Sequence, residues 1–141
     1  MGQIANALGT GSEFVFNDKT YRLSPWSFKI QGQFEVYLER EAVSSVQRMR
    51  DLLSVEEYKD QLSKSLEKVA AGVYSFGSET VATSLQSLKH LKKLLLLQLQ
   101  DLQPDVTADL VDTMCKAKLE EVMQAMTLAN GIEANDPNKQ A

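Results

Sequence analysis

The sequence predicts a mainly α protein: a four-helix domain with a short N-terminal β-hairpin. Apolar residues recur at three- and four-residue steps in successive segments, and helix-start and helix-stop residues bracket those segments. Near the N-terminus, Phe14, Phe16, Tyr21 and Leu23 alternate with shorter or polar residues around Asn17-Asp18-Lys19, the pattern of two strands joined by a tight turn. A lone hairpin is marginally stable in water, so this one is expected to lean on the helices or on a neighbouring chain.

Ser24-Pro25 reads as the first helix start, with the serine oxygen available to an orphan N–H and proline tolerated at the first helical position. The helix is expected to run to about Arg50, with Ile30, Phe34, Leu38, Ala42, Val46 and Met49 on its apolar side. Ser54-Val55-Glu56-Glu57 has capping-box form and opens a second helix with the stripe Val55, Tyr58, Leu62, Leu66 and Val69. Gly72 ends it, because glycine turns left-handed without strain. After an aromatic connection, Ser78 caps a third helix expected over Glu79 to about Leu102, apolar almost all round near Leu96. Pro104 breaks that pattern. Thr107 caps a fourth helix that ends near Leu128, with Asp109 and Asp112 placed favourably near the positive end of its dipole and Asn130-Gly131 closing it.

The chain has 141 residues, 43% hydrophobic and 24% charged, the composition of an ordinary globular protein. The expected organisation is a flexible leader over 1–12, a single helical domain with its hairpin over 13–130, and a disordered tail over 131–141, where apolar residues are scarce. A net charge of −4 argues against nucleic acid as the main partner, since that binding requires lysine and arginine to neutralise phosphates. The lone basic cluster, Lys89, His90, Lys92 and Lys93, reads as a solvated helix face. The longest apolar run, Leu94 to Leu97, is far shorter than the roughly 20 residues that cross a bilayer. No membrane association is expected. A single cysteine excludes an internal disulfide and fits a reducing cytoplasm. The N-terminus has no basic flank for a secretory signal, and Asn6 stands where a myristoylation motif needs Ser or Thr.

Tests for catalytic chemistry come out empty, and no enzyme, cofactor or metal site is expected. Gly72 to Gly77 has the glycine spacing of a phosphate loop, but Ser78 and Glu79 replace the lysine and hydroxyl residue that such a loop needs, and a glutamate there repels phosphate. Cys115 falls on the apolar side of the last helix beside Val111, Leu119 and Val122, where a thiol is a small hydrophobe. Glu35 and Glu39 lie one turn apart with no histidine beside them, and Asp101, Asp105 and Asp109 lack the glycine and terminal glutamate of a calcium loop.

What stands out is apolar. Leu96 and Leu97 in the leucine-crowded third helix, and Met114, Met123 and Met126 in the fourth, exceed one core stripe, and methionine adapts its shape to varied apolar partners. These five are the candidate partner-binding residues. Met114 and Met126 share the core-facing stripe, and Met123 points away from it.

The order of features resembles the tail assembly chaperones of tailed bacteriophages: the hairpin Phe14 to Leu23, Ser24-Pro25-Trp26 and a long helix, a leucine-rich helix, then Pro104-Asp-Val-Thr107 and a last helix opening Ala-Asp-Leu-Val-Asp. The match covers about Phe14 to Leu128. The resemblance implies a protein of the infected host cytoplasm that binds the tape measure protein and assists polymerisation of tail tube subunits around it, and that is absent from the finished virion. The leucine density of the third helix departs from the pattern and keeps open a structural virion subunit, such as a neck, adaptor or tail component, forming a ring as a homo-oligomer.

Overall fold

The structure, a computed structural model, describes residues 11–130; the predicted tail and most of the predicted leader lie outside these. Strands β1 (Ser12–Phe16) and β2 (Lys19–Leu23) precede five α-helices: α1 (Phe28–Arg48), α2 (Val55–Ala70), α3 (Glu79–Ser84), α4 (Leu88–Gln100) and α5 (Ala108–Ala129). A single 3₁₀ turn, Arg50–Leu52, follows α1. The chain is mainly helical with an N-terminal hairpin, as predicted. It forms two compact units: one takes the chain up to Ile30 together with Leu88 onward, the other is Gln31–Ser87.

In the first unit the hairpin pairs Phe14 with Tyr21 and Phe16 with Lys19. Asn17 and Asp18 between them both have positive φ, 50° and 64°, which is the type I′ geometry whose twist matches the strands. Alternation then sends Phe14, Phe16, Tyr21 and Leu23 inward and leaves Glu13, Val15 and Arg22 outside. The hairpin does lean on helices: β1 and β2 both pack on α5, β2 also packs on α4, and α4 packs on α5. Leu94, Leu95 and Leu99 of α4 and Val111, Met114, Val122, Ala125 and Met126 of α5 complete this core. The backbone of α5 kinks at Lys118, where neither proline nor glycine stands.

The first helix starts later than Ser24-Pro25 suggested. The Ser24 hydroxyl donates to Asp101 Oδ2 at 2.6 Å and its N–H to the Gln98 carbonyl at 3.0 Å, so it is committed elsewhere. Ser27 takes the capping role, accepting from the Ile30 N–H at 3.3 Å. Ser24 thus docks on α4, and four residues separate β2 from the first helix.

In the second unit the predicted capping box is present, with Ser54 Oγ and the Glu57 carboxylate each 3.1 Å from the other residue's N–H. Those hydrogen bonds hold the Glu57 carboxyl below the usual carboxylate range. At the far end Gly72 has φ +73°, and the N–H groups of Gly72 and Val73 return to the carbonyls of Val69 and Lys68, a complete Schellman motif. The Gly72–Gly77 segment is a helix-to-helix connection fastened to α1: the Phe76 N–H donates to Glu35 at 2.7 Å, and the Phe76 ring meets Phe34 edge-on at 6.1 Å. Glu35 is therefore the acceptor that ties this connection to α1.

The third predicted helix is two helices. Thr80, Val81, Thr83 and Ser84 are poor helix formers, and the Ser84 hydroxyl bonds back to the Thr80 carbonyl at 2.9 Å. Bonds from Gln86 to Thr83 and from Ser87 to Ser84 then tighten the chain, and α4 restarts at Leu88. The Ser78 and Thr107 caps are as predicted, at 3.2 Å each.

Candidate protein-binding site

The five candidate residues separate by burial. Met114 and Met126 lie in the core, and Leu96 is covered except for one edge. Met114 and Met126 are therefore withdrawn from any docking surface: both lie on the side of α5 turned to the hairpin and α4, and a folded chain cannot present them. Leu97 is half-buried, and Met123 is 44% exposed with Leu119 exposed one turn before it. Met123 points away from the core as its position on the stripe predicted.

The uncovered edge of Leu96 forms the floor of a pit between α4 and α5. Leu96, Ala108 and Val111 supply its apolar walls, Lys89, Lys92 and Lys93 stand around it with Asp112, and its volume is about 280 Å³. Lys92 is tied to Asp112 across the two helices at 3.0 Å. All three lysines fall in the first two turns of α4, where the helix dipole adds to their positive potential and Asp112 offsets part of it. The basic cluster that read as a plain solvated face is thus the rim of an apolar recess. Its volume falls just short of the roughly 300–1,000 Å³ typical of small-molecule sites, which suits one anchoring side chain of a protein partner.

Gln98 of α4 and, just beyond its end, Asp101 and Gln103 form a polar clamp on the chain leaving β2. Gln98, wholly buried, donates Nε2 to the Ser24 carbonyl at 2.9 Å while its backbone carbonyl accepts the Ser24 N–H. Gln103 grips the Arg22 backbone with both ends of its amide, accepting the N–H at 2.6 Å and donating to the carbonyl at 2.9 Å. Asp101 accepts from Ser24 and from Lys29, the latter at 2.7 Å, and these contacts, Lys29 first, hold its carboxyl below the usual range. No sequence motif singles out either glutamine, and Asp101 stands out there only as part of an acidic group that does not make a calcium loop. The signal was present in Gln98, a polar residue inside the run Leu94 to Leu99, since buried amides are there to meet a defined partner.

A pH prediction follows from Asp101. A carboxyl whose folded-state pKa is lowered stabilises the fold above its unfolded pKa, and that contribution disappears as pH falls through the folded value. Stability should therefore decline in acid, below the normal carboxylate range, and Asp101→Asn should be less stable at neutral pH with a flatter acid limb. Urea titrations of both proteins from neutral pH into acid check this; parallel profiles would remove Asp101 from the balance.

Cys115 is buried, and burial pushes its thiol above the ordinary range despite the nearby Lys92, the opposite of an activated nucleophile. Among the described residues no group of three or more His, Cys, Asp or Glu side chains could hold a metal ion, and no helix is long and apolar enough to cross a membrane. In the second unit a groove of about 580 Å³ runs between α1 and α2, with Ala42, Val46, Ser65 and Tyr74 exposed to it and Lys64, Glu67 and Lys68 along its side. Its mixed, charged lining makes it a weaker apolar anchor than the pit. No protein-family model, curated protein or solved structure matches the chain.

Proposed function

We propose that the chain is a protein-binding assembly factor, a tail assembly chaperone that holds amphipathic helices of a tape measure protein while tail tube subunits polymerise around it in the host cytoplasm. One observation carries the protein-binding part: an apolar pit over Leu96, sized for a side chain and ringed by three lysines, in a chain whose net charge is −4. A helix with an apolar anchor flanked by acidic residues complements that arrangement, and helix-in-groove recognition reads such anchors at three- and four-residue steps. The tape measure as partner rests on the resemblance in the order of sequence features.

The test is affinity capture of the tagged protein from infected host cells, with mass spectrometry of the bound proteins and of released particles. Recovery of a long helical tape measure, with the protein missing from particles, supports the proposal; stoichiometric presence in particles replaces it with the structural-subunit reading. The pit is tested by Lys89→Glu with Lys93→Glu, which should weaken capture about tenfold or more while leaving thermal stability near that of the parent. Unchanged capture would move the site elsewhere.

A further inference from the structure

Helix α2 carries the clearest amphipathic pattern in the sequence, yet it does not bury its apolar stripe. Its sole buried residue is Ser65, while Val55 is 70% and Leu66 50% exposed and Tyr58, Leu62 and Val69 are half-buried. The helix turns Gln61, Lys64, Ser65 and Lys68 toward the groove beside α1 and leaves Leu62, Leu66 and Ala70 open on another face. A shallow recess of about 420 Å³ lies along that open face, with Lys59, Ser63 and Glu67 in one row beside the row of Leu62, Leu66 and Ala70. Lys59 and Glu67 have no ion-pair partner among the described residues. Leaving a leucine strip in water between two unmatched opposite charges is costly unless something covers it.

The charges specify what covers it. Lys59 and Glu67 stand eight residues apart, about 12 Å along the axis, with Ser63 midway between them. A partner helix must present an acid opposite Lys59, a base opposite Glu67 and apolar residues between. Helix α2 turned end for end meets all three requirements. A two-fold axis at Ser63 sets Lys59 of each copy against Glu67 of the other and closes Leu66 of each copy against Leu62 of the other. The same rotation opposes the two helix dipoles. A parallel pairing instead places Lys59 on Lys59 and Glu67 on Glu67.

We propose that a second copy of this chain docks antiparallel on the open face of α2, forming a two-fold dimer independent of the pit over Leu96. A 16-residue helix gives an interface at the small end of the range, so dissociation is expected on the order of micromolar. Sedimentation velocity of the full chain over a concentration series should show monomer and dimer in exchange. Lys59→Glu and Glu67→Lys, each acting twice per dimer by turning attraction into repulsion, should each raise the dissociation constant about tenfold or more. The two together restore the opposite pairing and should bring it back to within about threefold of the parent. Both are surface changes, so circular dichroism should report an unaltered fold. A chain monomeric throughout the series overturns the proposal, as does a dimer that ignores the single changes. Single changes that weaken the dimer without rescue in the double variant overturn the antiparallel arrangement.

Discussion

Gln98→Glu is expected to cost the folded state about 3–5 kcal/mol at neutral pH, the scale of an uncompensated buried charge. The side chain is wholly buried, and the cation nearest in the clamp, Lys29, is already held by Asp101. A glutamate there cannot donate to the Ser24 carbonyl while ionised, so the substitution loses a hydrogen bond and adds a desolvated charge. Burial raises the folded-state pKa of such a carboxyl, and a raised pKa gives stability that is complete below the unfolded value and lost as pH rises through the folded one. Lowering the pH toward 5 should therefore recover much of the loss, because the protonated acid can again donate to Ser24. Urea unfolding of the parent and the variant at both pH values measures it. A loss below about 1 kcal/mol at neutral pH would mean that water reaches this position.

The second large effect separates two methionines of one helix. Met114→Ala should destabilise by about 2–5 kcal/mol, the usual cost of emptying a core position that the surroundings only partly refill. Met123→Ala, at a half-exposed position nine residues on, should stay within about 0.5 kcal/mol. Thermal or urea denaturation of the pair decides whether the last helix uses its methionines for packing or for display. Equal effects would contradict the burial difference between them.

Local signals in the sequence were reliable where the residues that make them also satisfy each other. Ser54 with Glu57, Gly72, Ser78, Thr107 and the Asn17-Asp18 turn each do their work within a few residues, and each stands where the sequence placed it. Signals answered from far along the chain were misread. Ser24 resembled a cap because its partners, Gln98 and Asp101, lie more than seventy residues away, and the apolar pattern of the third predicted helix ran on across a break set by Thr83 and Ser84. The same limit applies to the candidate site. The lysine cluster and Leu96 were both noticed, but their meeting in one recess depends on Ala108 and Val111 from the next helix. Periodicity placed Val55, Leu62 and Leu66 on one face of α2 without saying what that face would meet.

The glutamine clamp on β2 has a bearing on how this protein fails. Gln103 occupies both backbone groups of Arg22 on the side of β2 away from β1, and Gln98 occupies those of Ser24 just beyond. The Gln103 amide, with the Gln98 amide and backbone carbonyl, thus stands where the next strand of a growing sheet would have to bond. A ladder blocked on one side cannot be propagated strand by strand, so the apolar hairpin is denied the route by which exposed strands seed fibrils.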